Sequence, residues 1–138
     1  MKNKIINSSN DASGALKITY WVTTIIIAIA FFVTGVGNLV PFTHIAHDMT
    51  HLGYPSYFLT ILGTWKILGA VTIVFVKSPL FKVCAYAGMI FDLTGAAFSR
   101  LASGDSGIMI IAPLGIAGLV IISWAFFLQK NSLKTFPG

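Results

Sequence analysis

Four apolar runs dominate this sequence, each long enough to cross a lipid bilayer, and they leave little room for another architecture. The first covers residues 18–40, and no charge appears between Ile18 and Asp48. The second, residues 57–76, holds one charge, Lys66. The third, residues 81–102, carries Asp92 near its middle and Arg100 near its end, and the fourth, residues 108–128, carries none. A helix rises about 1.5 Å per residue, so about 20 residues cross a hydrocarbon core of about 30 Å. Composition agrees. Only 9% of the 138 residues are charged, against about 25% in an ordinary soluble domain. That is too little charge to coat a surface facing water, so lipid is the expected solvent for most of the molecule. Ala28-Ile-Ala30 has the small-residue spacing of a signal-peptide cleavage site, but the apolar run continues through it to Val40. An uncleaved helix is expected.

The net charge of +5 does not point to nucleic acid. Lys2, Lys4, Lys17, Lys77, Lys82, Lys130 and Lys134 flank the apolar runs and form no stripe on one face. They act as topology signals. Three stand at the N-terminal tail, two at the second loop and two at the C-terminal tail, whereas the first loop has no lysine or arginine and the third has only Arg100 at its edge. Both termini are therefore expected in the cytoplasm, and the membrane is expected to be a bacterial inner membrane. Tyr20, Trp21, Tyr86 and Trp124 fall toward the inner interface, and Tyr54 and Tyr57 toward the outer one. Short loops mean antiparallel neighbours. The expected fold is an all-α membrane protein: a four-transmembrane-helix up-down antiparallel bundle over residues 17–129. A flexible cytoplasmic tail, residues 1–16, precedes it, and a second tail, residues 130–138, follows. The one cysteine, Cys84, excludes an internal disulfide or a CxxC pair, and inert packing is its expected role.

Two charges lie near the bilayer midplane. Lys66 is nine residues into a helix running inward, and Asp92 is about ten residues into one running outward. A charge at a helix centre costs about 2.5–3.5 kcal/mol on insertion scales, so the two are expected to pair. Around Lys66 stand Gly63, Gly69 and Ala70, and around Asp92 stand Gly88, Gly95, Ala96 and Ser99, at helical spacing. Small residues let helices approach closely, so these faces are expected to meet inside the bundle. The pair either fixes helix register or lines a ligand cavity. Arg100 lies eight residues outward of Asp92, about 12 Å along a helix. Asn38 reaches a similar level on the first helix. With Ser99 and Thr34 they compose a polar funnel toward Lys66 and Asp92, and Trp65 joins the candidate ligand set. The competing expectation has Arg100 snorkelling to headgroups and Asn38 capping a helix end.

The first loop, residues 41–56, is expected to form a short amphipathic surface helix. His44, His47, Asp48 and His51 fall on one face, and Ile45, Met49 and Leu52 on the other. His47 and His51, spaced i, i+4, are candidate metal ligands with Asp48 or His44. One helix face rarely supplies a closed site, so a wet polar face is the simpler expectation. No nucleophile–base arrangement, carboxylate pair or phosphate loop is visible, and Gly35-Val36-Gly37 lacks strand–loop–helix context.

Three stretches together resemble the DoxX-like family of small bacterial membrane proteins. They are Leu52-Gly-Tyr-Pro-Ser-Tyr-Phe58, Leu62-Gly-Thr-Trp-Lys66-Ile-Leu-Gly-Ala70 and Tyr86-Ala-Gly-Met-Ile-Phe-Asp92-Leu-Thr-Gly-Ala-Ala97. The resemblance runs from about residue 20 to residue 127 and implies a four-helix membrane bundle. Members of the wider family are linked to a thiosulfate:quinone oxidoreductase or to redox and stress responses, so the resemblance also admits a place beside a redox complex. Two functions follow. The first is a non-catalytic accessory or small-molecule-binding protein with its polar site at Lys66 and Asp92, needing no cofactor. The second is a quinone-associated subunit whose partner carries the redox centre. The expected partners are the lipid bilayer and either a membrane redox protein or further copies of this chain. A transporter fits less well, because four helices without an internal repeat leave little room for a path.

Overall fold

The computed structural model describes residues 1–40 and 43–135; of residues 5–6, 43–46 and 133–135 the backbone alone is described. The described residues form five helices: α1 (Lys2–Leu39), α2 (Thr43–His51), α3 (Ser56–Phe75), α4 (Pro79–Ala102) and α5 (Gly107–Thr135). Four of them, α1, α3, α4 and α5, are long and apolar enough to cross a membrane. Each apolar run of the sequence coincides with one of these helices, the first and second ending on the C-cap residues Val40 and Val76. Two of the helices run on into the polar segments. The backbone of residues 2–16, expected to fray, continues α1, and α5 runs on past residue 129. Neither residues 2–16 nor residues 130–135 contain a proline to stop the helix that the apolar run has begun.

The long helices close a ring. α1 lies against α3 and α5, and α4 completes the ring against α5 and α3, while α2 rests on α3. Named pairs fix the register along three of the four interfaces. Thr24 meets Ser123 and Tyr20 meets Phe127 between α1 and α5. Gly35 and Gly63 touch between α1 and α3. Lys66 meets Asp92 between α3 and α4.

The core holds Ile27, Phe31, Ile73, Met89 and Val120 with the aromatic rings of Tyr20, Tyr86 and Phe127. Tyr20 and Tyr86 were expected at the lipid interface, yet both are buried. The outward surface is apolar: Ile29, Val33, Phe75, Phe91, Phe98, Ile108 and Ile111 are all exposed. A continuous apolar exterior of this kind suits a bilayer and not water.

Two glycines shape the ends. Gly53 (φ 79°) and Gly104 (φ 73°) adopt the left-handed conformation that side chains disfavour. Each closes a Schellman turn. The Tyr54 N–H donates to the Met49 carbonyl at 3.0 Å, and the Asp105 N–H donates to the Arg100 carbonyl at 3.1 Å. These turns carry Tyr54 and Asp105 back over the ends of α2 and α4, where both reappear below.

Candidate functional site

Lys66 and Asp92 form an ion pair, Nζ to Oδ2, at 3.4 Å. They reach each other because each sits mid-helix on neighbouring elements. The expected pairing is therefore present, but not the expected tight burial. The two side chains keep 18% and 16% exposure because they open on a cavity of about 1240 Å³. α1, α2, α3 and α4 all contribute to its wall. Trp65, Phe81 and Phe91 line it and are largely exposed, so it opens outward where α3 and α4 part.

The small residues do two different things. Gly63 packs against α1, not α4: a Cβ there would sit 2.7 Å from the Gly35 carbonyl oxygen. Gly88 and Gly95, on α4, meet nothing; a Cβ on either has open space within 4 Å. The faces beside Lys66 and Asp92 were expected to close on each other. They do so in part: Gly69 packs against α4, where a Cβ would sit 3.3 Å from Met89 Cε, whereas Gly88 and Gly95 hollow the cavity wall and the tightest approach belongs to α1 and α3.

Of the expected funnel, Asn38, Thr34, Ser99, Arg100 and Trp65 all line the cavity with the pair. Asn38 lies one helical turn nearer the α2 end than Lys66, since it packs over Gly63 while Gly35 packs over the Lys66 Cβ. It is only 7% exposed, and its amide Nδ2 has no hydrogen-bond partner. Arg100 does not stand alone. Its guanidinium reaches Asp105 at 3.1 Å and Asp48 at 3.5 Å. Ser99 is held by the Tyr54 hydroxyl at 2.6 Å. Asp105 and Tyr54 were not anticipated as site residues, although the Gly104 and Gly53 turns that place them are visible in the sequence.

The helix α2 covers this end, with Met49 and Leu52 lining the cavity. Two of its polar side chains have partners outside the helix. Asp48 faces Arg100, and His51 Nε2 lies 3.2 Å from Asp105. Among the described residues no three His, Cys, Asp or Glu side chains converge as a metal site would require. The side chains of His44 and Ile45 lie outside the described residues. Cys84 is exposed and lines the opposite end of the cavity, not packed in the core as expected.

A second polar set was missed. The Ser123 hydroxyl lies 3.1 Å from that of Thr24 and 3.0 Å from that of Tyr86, all three fully buried among α1, α4 and α5. Lys82 Nζ donates to the Tyr20 hydroxyl at 3.3 Å. The signal was Tyr20 and Thr24, then Ser123 and Phe127, each spaced i, i+4 on one helix face.

The sequence pattern of the DoxX-like family matches residues 22–125, and the chain belongs to that family. No curated protein and no solved structure matches the chain. Family and helices together make it a multi-pass membrane protein.

Proposed function

We propose that this DoxX-like membrane protein binds a small molecule in the cavity between α3 and α4, with Lys66 and Asp92 as its polar centre, and catalyses nothing by itself. The bundle is up-down and antiparallel, sits in a bacterial inner membrane and keeps both termini in the cytoplasm. α2 is an amphipathic lid lying at the outer surface. The one-sided lysines support that orientation. The cross-helix partners Thr24–Ser123, Gly35–Gly63 and Lys66–Asp92 support the antiparallel order. Reporter fusions at the C-terminus test the orientation: a well-expressed fusion to a reporter active only in the cytoplasm should give signal.

The observation that carries the function is the cavity wall at Asp92. A purely structural ion pair in a membrane would be sheathed in packed side chains, because any open space beside it forfeits contacts. Here Gly88 and Gly95 keep space open beside the carboxylate, and an apolar pocket on which a few polar groups converge is a ligand site by default.

The test is native mass spectrometry from mild detergent, comparing the natural chain with Gly95→Phe. A side chain at residue 95 has room to enter the cavity without displacing backbone. A small-molecule adduct on the natural chain that disappears from the variant is the expected result. An adduct retained by the folded variant would place binding elsewhere. An absorbance spectrum of the same preparation separates the second function: stoichiometric flavin or haem, or a bound quinone whose spectrum shows it reduced and reoxidised by a partner, would make the protein a redox subunit.

A further inference from the structure

We infer that the ligand of this cavity is an uncharged, single-chain lipophile whose head offers a carbonyl oxygen, and that Asn38 reads that oxygen. This rests on the cavity-binding function above and specifies its ligand class.

Three observations converge. First, Asn38 brings a donor with nothing to donate to. Its side chain is more than nine-tenths buried, it lines the cavity, and its Nδ2 is without a hydrogen-bond partner. An unsatisfied buried donor costs about 1–3 kcal/mol, and an acceptor on a ligand removes that cost. The neighbours cannot remove it. Gly63 and Leu39 beside it offer no side-chain acceptor, and the two acidic groups of the cavity, Asp92 and Asp48, are engaged by Lys66 and Arg100.

Second, the cavity selects against net charge. The charged residues that line it are Asp48, Lys66, Asp92 and Arg100, two of each sign. They are already paired, Lys66 with Asp92 and Arg100 with Asp48. A charged head would break one of these pairs or enter low-dielectric surroundings uncompensated, and either is costly. A neutral acceptor disturbs neither.

Third, the cavity is long. Its lining runs from Phe81 to Arg100 along α4, nineteen residues or about 28 Å of helix. That is close to the full thickness of a hydrocarbon core, about 30 Å. The stretch beyond Asn38 offers Trp65, Met89, Phe91 and Phe81, which suit an extended chain lying in the gap between α3 and α4. The open side faces outward through the exposed apolar surface, so such a molecule enters sideways from the membrane and never crosses water.

Quenching of Trp65 tests this. Trp21 and Trp124 do not line the cavity, so Trp21→Phe and Trp124→Phe leave Trp65 as the only emitter. The purified protein in decyl maltoside is titrated with three brominated probes at equal mole fraction: methyl dibromostearate, dibromostearate and dibromo-octadecane. The ester is expected to quench saturably and at least fivefold more tightly than the alkane or the anion. In Asn38→Leu the ester should fall to the level of the alkane. If all three quench saturably and alike in the natural Asn38 background, the ligand class is wrong while the cavity function stands. If none saturates, the cavity function itself fails. Because the comparison among probes uses natural Asn38, it decides the matter even if Asn38→Leu does not fold. Displacement of the ester by an equal mole fraction of phosphatidylcholine would show a site for bulk lipid and would also overturn the inference.

Discussion

Gly35 and Gly63 face each other across α1 and α3 so closely that a Cβ on Gly63 would sit 2.7 Å from the Gly35 carbonyl oxygen, and one on Gly35 would sit 3.0 Å from the Gly63 carbonyl oxygen. Both obstacles are backbone, which cannot swing aside as a side-chain tip can. The contact lets α1 press on α3 just where Asn38 and Lys66 leave their helices. It therefore sets the wall of the cavity opposite Asp92.

Gly63→Ala should accordingly destabilise the protein. Overpacking costs about 1–3 kcal/mol, against about 0.5–1 kcal/mol regained from the better helix former. Gly88→Ala is the control, since its Cβ meets open space and only the gain remains. Thermal unfolding in detergent should rank the two variants on opposite sides of the natural chain. Equal stability of both would mean that α1 and α3 do not meet at this point.

A second prediction concerns the cover of the cavity. Arg100 holds Asp105 and Asp48, but the two carboxylates differ: Asp105 is 14% exposed and Asp48 is 59% exposed. An exposed ion pair contributes about 0.2–1 kcal/mol and is screened by salt, whereas a sheltered partner leaves a stranded guanidinium when removed. Asp105→Asn should lower stability by about 1–3 kcal/mol. Asp48→Asn should change it by less than about 0.5 kcal/mol, while raising amide hydrogen exchange across α2. If Asp48→Asn were the more damaging of the two, α2 would be anchored chiefly by its tether to Arg100.

How far the sequence shows these features depends on the kind of signal. The four spans are legible because twenty apolar residues in a row have few other fates. The pairing of Lys66 with Asp92 is legible because two opposite charges in hydrocarbon have one inexpensive arrangement. The role of each glycine is not legible. Glycine permits close approach at Gly63 and open space at Gly88 for the same reason, the missing Cβ, and only the placement of a third helix decides between them. Arg100 shows a signal passed over. In Arg100-Leu-Ala-Ser-Gly104-Asp105 the glycine ends the helix in a Schellman turn, and that turn returns residue 105 to residue 100. Its contact with Asp48 is different, since nothing local links residues so far apart. Tyr20 and Tyr86 were assigned to the interface by residue type, whereas their hydroxyls find partners on other helices, Lys82 for Tyr20 and Ser123 for Tyr86.

That buried hydroxyl set gives the third prediction. Tyr86 and Ser123 are both fully buried and share a hydrogen bond of 3.0 Å, with Thr24 the further partner of Ser123. Tyr86→Phe should cost about 1–2 kcal/mol by leaving a hydroxyl unsatisfied, and Ser123→Ala a similar amount. The double variant should cost less than the sum, because the groups belong to one network. Strict additivity in thermal unfolding would show that Tyr86 finds another partner.

The last prediction returns to Lys66 and Asp92. Two limits bracket their coupling. A fully buried pair loses about 3–5 kcal/mol when one partner is removed, because the survivor is stranded. An exposed pair contributes about 0.2–1 kcal/mol. This pair stands between the limits. Its side chains are mostly buried, but the cavity beside Gly88 and Gly95 leaves them partly open, and their 3.4 Å separation is longer than a strong charge-assisted hydrogen bond of about 2.7–2.9 Å. Lys66→Met and Asp92→Leu should each destabilise the protein, and the double replacement should be milder than their sum by about 2 kcal/mol. The cavity adds a second signature. Gly95→Phe fills the space beside Asp92, excludes whatever screens the pair, and should raise the coupling measured in the same cycle. Additive single effects within about 0.5 kcal/mol would show that the two groups do not interact. A coupling unchanged by Gly95→Phe would show that the space beside Asp92 does not reach the pair, and the cavity would lose its polar centre.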